Sequence, residues 1–493
     1  MARILSSRPN IVFHLIAGYC LLSMALRILR SDSLEIDEAE QAFLSQYLML
    51  GYGTQPPFYN WVQYAVAAVF GLSVAALAVV KNGFLFGFLI FYGFAARTIT
   101  SERSLPAIAM LGVLTLPPVF LLSQRDLSHT VAALFTVSLF LYGFLQTLKN
   151  PRLGSYVVTG IAVGLGVISK YNFVIIPIAA IIAVLPEADL RKRLFDWRVL
   201  VAVAIAALIV APHAYWVLEN FGHASGGTVA EMKEGADDAA LPHVVEGLFS
   251  LLTATVKGIA LSLLVFMLIF RKELGRILKA ENQWTRIIGR MLVICFVLLV
   301  LVVAGIGATH IRPKWLSLFT ALLPLYLVLK IDAAGVDATP RLPAFLTVAG
   351  ILAVGVVVML WARVFIGPML GDYSFAHTPY AGFAHAVAEA HQTPPAAVLV
   401  DDRIVAGNLR IQFPQIPVVM PGFPAGDVLL PSGPVLAVWP AEGEEGNRIP
   451  PRLAKILSAN GRDIGSLAVA VVPVPYNAGR AGDLYRFGYT WAP

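Results

Sequence analysis

Apolar runs of about 20 residues recur along the first 366 residues of this chain. A run of that length can cross the hydrocarbon core of a bilayer as an α-helix. Backbone polar groups cannot stay unpaired in lipid, so repeated runs of this kind predict a bundle of helices rather than a water-soluble core. The mean hydropathy of +0.75 agrees with that interpretation. The chain is therefore predicted to be a polytopic α-helical membrane protein.

The positions of these runs predict eleven spans. They lie near residues 11–29, 74–96, 104–122, 128–148, 154–169, 172–186, 197–217, 246–270, 289–309, 315–330 and 343–366. Two of them, 154–169 and 172–186, are short and are separated only by the sequence SKYN. The apolar segment 58–71 is also short and follows a Pro-Pro turn, which favours a helix lying at the membrane interface.

Charge distribution predicts how the spans are oriented. With the N-terminus in the cytoplasm, the predicted inside segments hold most of the Lys and Arg residues found before residue 367. This is the pattern of the positive-inside rule, so the net charge of +6 does not require nucleic acid as a partner. Cys20 and Cys295 lie in apolar runs and indicate neither a disulfide framework nor a Cys-rich metal site. The first run lacks a small-x-small cleavage site and is interpreted as a retained span.

Composition changes after residue 366, where apolar runs shorten and Pro, Gly and Asp appear between them. The patterns predict strands at 397–402, 434–439, 466–474 and 484–491, and helices around 381–391 and 451–460. We therefore predict a transmembrane domain at 1–366, with a first outer loop at 30–73, and a small soluble α/β domain at 367–493 outside the membrane.

The first outer loop concentrates carboxylates in a chain that is only 13% charged. They are Asp32, Glu35, Asp37 and Glu38, and the turn GYGTQPPFYNW follows them. A paired carboxylate beside a membrane can act as a general base on a hydroxyl or bind a cation. Asp37 and Glu38 could equally be a charge pair at the N-terminus of a surface helix beginning near Ile36, stabilised by the helix dipole.

Other polar groups fall at the predicted outer ends of the spans. They are Gln55, Arg125, Asp126, His129, Lys170, Tyr171, Asn172, His213, His310, Arg312, Lys314 and Trp315. Lys and Arg at headgroup depth suit a phosphate, so carboxylates and cations on one face indicate transfer of a group from a lipid phosphate. Structural roles stay open for the same residues. Asp126 could cap the following span, Lys170 could snorkel from a span end, and the histidines match no metal motif.

Taken in order, these motifs resemble the GT-C glycosyltransferases. The motifs are a DE pair after the first span, G-Y-G-x-Q-P-P-F-Y-x-W, a second Asp after the third span, K-Y-N, P-H-x-x-W and R-P-K-W-L. The chain is most similar to the bacterial branch related to the protein O-mannosyltransferases and the lipid A aminoarabinose transferases, glycosyltransferase families 39 and 83. The resemblance covers about residues 11–330, and the first loop carries its most specific part.

The resemblance implies inverting transfer of a sugar from a polyprenyl phosphate on the periplasmic face of the bacterial inner membrane. The acceptor would be lipid A or lipopolysaccharide, another polysaccharide, or a protein. Asp37 would be the catalytic base or acceptor-orienting residue, Asp126 a second acid and Glu38 a further candidate. The implied phosphate-binding residues are Lys170, Arg125 and Arg312, and the implied substrate-binding residues are Gln55, Tyr59, Tyr171, His213 and His310. No cofactor is implied with certainty, although a divalent metal ion would be compatible with the carboxylates.

One departure from the aminoarabinose transferases stands in the first-loop turn, where they have a Lys and this chain has Gln55. An amide can hydrogen-bond a phosphate but cannot neutralise it, so the sugar preference of that subgroup is not expected here. A transporter or flippase of a lipid-linked sugar is the main alternative. It would call for ionisable residues at mid-membrane depth and often for repeated halves. A scaffold would leave the carboxylates without a role, and the Gly-rich segment 219–246 could be a lid or an ordinary loop.

Overall fold

The computed structural model describes residues 10–125, 127–233, 242–391, 393–424, 428–441 and 445–493. Helices occupy all eleven predicted spans. Within the described ranges, eight of them are long and apolar enough to cross a membrane, or nine if a bent pair counts as one span. The bent pair replaces the predicted span 104–122 and consists of Leu105–Val113 and Pro118–Arg125, which meet at 69°. The predicted pair at 154–169 and 172–186 forms the shorter apolar helices Leu153–Val167 and Tyr171–Val184. The polytopic helical fold is confirmed.

The longer helices are numbered here in chain order. They are α1 Ile11–Arg30, α2 Ile36–Leu44, α3 Phe58–Phe70, α4 Val74–Ile99, α5 Leu105–Val113, α6 Ser128–Lys149, α7 Leu153–Val167, α8 Ile175–Val184, α9 Arg198–Glu219, α10 Phe221–Met232, α11 His243–Ile269, α12 Gln283–Ile306, α13 Leu322–Ala333, α14 Leu342–Ile366, α15 Tyr380–Ala390, α16 Arg403–Gln412 and α17 Pro451–Ala459. Shorter helical turns lie at Ser123–Arg125, Ala188–Arg191, Leu274–Lys279 and Ser317–Thr320.

Two units emerge from the contacts along the chain. The bundle unit comprises Met1–Leu22, Met49–Tyr59 and Lys81–Val356, and the tail unit comprises Ser23–Leu48, Asn60–Val80 and Val357–Pro493. The boundaries of these units differ from those of the predicted domains 1–366 and 367–493. The first-loop helix α2 belongs to the same unit as the C-terminal residues. The predicted soluble nature of 367–493 stays a prediction.

Close helix packing holds the bundle unit together. A Cβ atom on Gly160 of α7 would lie 2.5 Å from the Ala202 carbonyl oxygen of α9, so these helices approach as only a small residue allows. The buried Tyr92 hydroxyl of α4 donates to the Ala321 carbonyl at 2.6 Å and accepts from the Leu325 N–H at 2.8 Å. It thereby satisfies backbone groups at the junction where α13 begins.

An ion-pair cluster at the predicted inner face joins the residues after α8 to α12. The Glu187 carboxylate contacts the guanidinium groups of Arg286 and Arg290, each at 3.0 Å. Hydrogen bonding from Arg286 lowers the pKa of Glu187 to about 2. Both arginines are among the cations that the positive-inside pattern assigned to the cytoplasmic side, so this cluster gives them a packing role as well.

The tail unit contains a five-stranded mixed sheet in the order β2-β1-β3-β5-β4. Its strands are β1 Ala397–Leu399, β2 Val418–Val419, β3 Val435–Pro440, β4 Val469–Pro475 and β5 Leu484–Ala492. β1 pairs in parallel with β2 and β3, and β5 pairs antiparallel with β3 and β4. The four predicted strands are present. β2 escaped prediction because two residues carry no alternating pattern.

Helix α16 is the other element of the tail that was not predicted. Its N-cap, Asp402, accepts hydrogen bonds from the N–H groups of Ile404 and Val405, both at 2.9 Å. An Asp before an amphipathic run is a recognisable helix start, so the signal was present in the sequence. Helix α16 matters because it supports α2. A Cβ atom on Gly407 would lie 1.9 Å from the Ala39 carbonyl oxygen of α2.

Candidate active site

Each of the three residues of the K-Y-N segment, 170–172, contacts a different element of the bundle unit. The Lys170 ammonium donates to the Thr130 hydroxyl of α6 at 2.9 Å. The Tyr171 hydroxyl lies 3.1 Å from Nε2 of His213 in α9. The Asn172 amide donates to the Trp315 carbonyl at 3.1 Å. One short segment between α7 and α8 therefore contacts two of the motifs that carried the sequence resemblance, P-H-x-x-W and R-P-K-W-L, and the first turn of α6.

The GYGTQPP turn is anchored to the same group of residues within the bundle unit. The Leu50 carbonyl lies 2.8 Å from Nδ1 of His213. The Phe58 N–H donates to the Ile168 carbonyl, two residues before Lys170, at 2.9 Å. The Tyr59 ring packs 5.9 Å from the His129 ring, between centroids. The turn thus has three attachments, to α6, to the end of α7 and to α9.

His213 occupies the centre of this anchoring. Its ring is stacked between Tyr171 and Trp216, with interplanar angles of 16° and 14°. Both of its ring nitrogens face chain partners, the Leu50 carbonyl and the Tyr171 hydroxyl. Because both ring nitrogens of His213 contact chain partners, His213 helps to hold the GYGTQPP turn in position. The predicted contact of His213 with substrate stays a prediction.

The segment before α6 has an unusual backbone. Residues Pro118–Leu122 form a π-helical turn, an irregularity that often occurs at functional sites. Leu127 then adopts a left-handed conformation, with φ of 68° and ψ of 58°. That conformation costs a non-glycine residue about 1 to 2 kcal/mol, so the surrounding fold must hold it. Arg125 precedes the left-handed Leu127 in the chain, and Thr130 follows it in the first turn of α6.

A buried lysine that the sequence reasoning left unassigned reaches this segment. Lys81 lies in the apolar helix α4, is 5% exposed, and has its ammonium 3.5 Å from the Arg125 carbonyl. An ionisable residue inside an apolar span is itself a signal of function. Sequence reasoning missed it by concentrating on span ends.

The first-loop carboxylates lie in the tail unit. Helix α2 begins at Ile36, as predicted, and Asp37 and Glu38 occupy its first turn. Glu38 is buried and accepts hydrogen bonds from the Arg27 guanidinium on both oxygens, at 2.9 Å to Oε1 and at 3.1 and 2.7 Å to Oε2. It also accepts from the Glu35 N–H at 3.2 Å. Glu38 therefore has a structural role in the described fold, whereas Asp37 is partly exposed.

The remaining candidates are placed as follows. The Arg312 guanidinium lies over the Trp315 ring, 5.8 Å from its centroid. His310 is exposed, and its N–H bonds the Met232 carbonyl at 3.3 Å. Gln55 is partly exposed in the turn. Asp126 lies outside the described residues, as does part of the segment 219–246, whose described portion includes α10. The catalytic and binding assignments of all these residues stay predictions.

Among the described residues, no group of three or more His, Cys, Asp and Glu side chains is arranged to hold a metal ion. Asp126 lies outside the described residues, so the compatibility of the carboxylates with a divalent ion stays an expectation of the resemblance.

We expect Gly51→Ala to disturb the anchored turn. The new Cβ atom would lie 2.2 Å from Trp216 ring carbons, so the ring or the turn must shift at a cost of about 1 to 3 kcal/mol. Thermal unfolding in detergent should occur at a lower temperature, and sugar transfer should slow. The matched control is Gly18→Ala, where a Cβ atom meets nothing within 4 Å. Adding Trp216→Leu should restore part of the loss, and equal behaviour of the two alanine variants would contradict the packing argument.

Comparison with known proteins identifies the family. Residues 54–216 match the family described as dolichyl-phosphate-mannose-protein mannosyltransferase. The chain is 42% identical to the lipopolysaccharide core galacturonosyltransferase RgtA of Rhizobium johnstonii, over 97% of this chain and 96% of the relative. It is 41% identical to the core galacturonosyltransferase RgtB of the same organism, over 99% and 98% of the two chains.

Solved structures agree on the fold. The crystal structure of ArnT from Cupriavidus metallidurans bound to undecaprenyl phosphate matches with a TM-score of 0.63 and 15% identity, covering 98% of each chain. At that identity the likeness supports the fold alone. The resemblance stated from the sequence motifs is confirmed, and the protein is an enzyme. The chain belongs to the GT-C glycosyltransferases, in one family with the rhizobial core galacturonosyltransferases.

Proposed function

We propose that this membrane glycosyltransferase transfers galacturonic acid from a polyprenyl phosphate to the core of a lipopolysaccharide, with inversion, on the periplasmic face of the inner membrane. The sugar and acceptor are inferred from the names of RgtA and RgtB, which align with this chain over nearly its whole length. The donor class is inferred from the undecaprenyl phosphate bound to ArnT and from the cations at the predicted outer face. The predicted topology supports the periplasmic orientation.

The observation that carries the proposal is the convergence at K-Y-N. Lys170 contacts Thr130 at the start of α6, Tyr171 contacts His213 of the P-H-x-x-W motif, and Asn172 contacts Trp315 of the R-P-K-W-L motif. The Thr130 hydrogen bond and the contacts of Ile168, Tyr171 and Asn172 position the Lys170 ammonium beside the first turn of α6. A preorganised cation of this kind can stabilise charge that develops on a leaving phosphate.

The proposed reaction is a single displacement. The Asp37 carboxylate accepts the proton of the acceptor hydroxyl, whose oxygen attacks the anomeric carbon from the face opposite the phosphate. The bond between the anomeric carbon and the phosphate oxygen breaks, and polyprenyl phosphate leaves with the additional negative charge. Lys170, Arg125 and Arg312 would stabilise that charge. Asp126 would be a second acidic residue, and Gln55, Tyr59, Tyr171, His213 and His310 would contact the substrates.

The proposal is tested with the purified full chain in lipid nanodiscs. Radiolabelled undecaprenyl-phosphate galacturonic acid is offered with lipopolysaccharide core lacking its terminal uronic acid, and the product linkage is determined by NMR. We expect transfer with an anomeric configuration opposite to that of the donor. Parallel reactions contain the mannose- and aminoarabinose-linked donors. Transfer from one of these donors but not from the galacturonic acid donor would overturn the proposed sugar.

A further inference from the structure

We propose that the exposed face of α11 binds a transmembrane helix of a separate protein, one that carries a carboxylate near the middle of the bilayer. The residue that carries this proposal is Lys257, which has no part in the proposed reaction. The inference goes beyond sugar transfer, and it does not depend on the identity of the donor or the acceptor.

Lys257 lies near the middle of a helix that is long and apolar enough to cross a membrane. It is the fifteenth of the 27 residues of α11. At a rise of 1.5 Å per residue, it lies about 21 Å from the start of the helix and about 18 Å from its end. The hydrocarbon core of a bilayer is about 30 Å thick, so an ammonium at this depth is about 15 Å from either surface of the core. That distance exceeds the reach of a lysine side chain, so Lys257 cannot extend to the headgroups as a lysine near a helix end does.

Lys257 lies outside the face of α11 that packs into the bundle. The buried residues of this helix recur every three or four positions, as one helical face does, and they include Gly247, Leu251, Ala254, Gly258, Ser262 and Val265. Lys257 is exposed. So are the apolar side chains Phe249, Leu252, Val256 and Leu264, which are 48% to 68% exposed. In a membrane this exposed face of α11 is turned toward hydrocarbon.

The Lys257 ammonium makes no hydrogen bond or ion pair with any residue that the structure describes. By contrast, Lys81 of α4 is 5% exposed and is therefore enclosed by the protein. Ionisable residues within membrane spans almost always face the protein interior and pair with other polar groups, because a charge in hydrocarbon is costly. An exposed and unpaired ammonium at this depth therefore indicates that another molecule covers it.

Charge and depth together select the partner. A carboxylate is the protein group that best neutralises an ammonium, and at mid-membrane depth it has to be carried by a helix whose backbone groups are paired internally. A lipid phosphate stays at the headgroup level, about 15 Å away. In the candidate spans of the described chain, Asp and Glu occur only near helix ends, at Glu219, Glu246 and Asp332. A second copy of this chain therefore offers no carboxylate at the depth of Lys257.

The neighbours of Lys257 on the exposed face suit close contact with a second helix. Thr253 lies one turn before Lys257 and Ala260 one turn after it. Ala260 is exposed, and Thr253 is partly exposed. Small side chains let the backbones of membrane helices approach closely. The same face of α11 therefore offers a close approach and a charge for the partner to neutralise.

The test uses the full chain in lipid nanodiscs and synthetic transmembrane peptides labelled for energy transfer to it. The probes are a polyleucine helix with one central Asp and the same helix with Leu at that position. Wild-type protein should bind the Asp peptide about 10-fold more tightly than the Leu peptide, the size of a polar contact between membrane helices. Lys257→Met should remove this difference, and Lys257→Arg should keep it. Sugar transfer by Lys257→Met should equal that of wild type, and a loss would place Lys257 in the reaction instead.

Two further variants test the face around the charge. Ala260→Leu keeps Lys257 but fills the space beside it, so the Asp peptide should bind about 10-fold more weakly. The double variant Lys257→Met/Val354→Lys moves the lysine to an exposed position near the middle of α14, where Ile351 and Val358 flank it. It should bind the Asp peptide more weakly than wild type does. Equal binding would show that any exposed lysine suffices and would overturn the docking face.

Three other results would overturn the proposal. Equal binding of the two peptides to wild-type protein would remove the preference for a carboxylate. If wild-type chains pair with one another and Lys257→Met chains do not, the occupant of the face is a second copy. If native mass spectrometry finds an anionic phospholipid on wild-type protein but not on Lys257→Met, and the Asp peptide has no advantage, the occupant is a lipid.

Discussion

Asp37→Asn is expected to lower the rate of sugar transfer by about 10²- to 10⁴-fold, the usual contribution of a general base. The amide has nearly the same shape as the carboxylate but cannot accept the proton of the acceptor hydroxyl. Asp37 is partly exposed in the first turn of α2, where a negative charge gains only about 0.3 to 1 kcal/mol from the helix dipole. The variant should therefore fold normally, and its kcat should fall while binding of undecaprenyl phosphate stays unchanged.

Glu38→Gln is the matched control for Asp37→Asn. It changes the adjacent carboxylate of the same helix turn, but this one is buried and bound to Arg27 through both oxygens. Its loss should lower thermal stability, and any loss of activity should follow the fraction unfolded. Full activity in Asp37→Asn would remove Asp37 from the chemistry. A selective loss of kcat in Glu38→Gln would transfer the proposed base to Glu38.

The spans were predictable because their signal is local. A run of apolar residues long enough for a bilayer excludes most other structures, and every predicted run forms a helix. The structure differs from the predicted spans where residues that break helices interrupt an apolar run. Pro117 and Pro118 interrupt the run at 104–122, and the chain bends there by 69° between its two helices. The sequence contained this interruption, but not the π-helical geometry that follows it.

The candidate site was predictable in part because its motifs are local patterns in the sequence. Motif spacing selected the segments, yet the contacts between them join residues far apart in sequence. His213 lies 163 positions from Leu50, and Asn172 lies 143 positions from Trp315. No local pattern specifies such pairs. Likewise, the support of α2 by α16 depends on Gly407, whose missing side chain admits the Ala39 backbone.

Several candidate residues therefore have a structural role in addition to the one proposed for them, and substitution separates the two. The sequence resemblance predicts Tyr171 and His213 as substrate contacts, and in the structure they also brace the GYGTQPP turn. The resemblance makes Glu38 a candidate catalytic carboxylate, and in the structure it pairs with Arg27. Measurements of stability and catalysis on the same variant distinguish the roles, because a bracing residue changes both and a catalytic residue changes only the rate.

Arg27→Met should be among the most destabilising single substitutions in the first-loop region. Arg27 is buried, binds both oxygens of Glu38, and donates to the carbonyls of Ser31 at 2.8 Å and Ser33 at 3.1 Å. Methionine keeps much of the side-chain volume but leaves the Glu38 charge buried without this partner. Breaking a buried ion pair in this way costs about 3 to 5 kcal/mol. The expected result is a markedly lower unfolding temperature in detergent.

The double variant Arg27→Met/Glu38→Met is the decisive comparison, because removing both charges costs much less than leaving one of them buried. It should recover most of the stability lost in Arg27→Met. Arg27→Lys keeps the charge but loses the two-pronged geometry, so its stability should lie between those of wild type and Arg27→Met. If the double variant is no more stable than Arg27→Met, the ion pair is not what stabilises this loop. If stability returns while kcat stays low, the pair also fixes the position of the neighbouring Asp37.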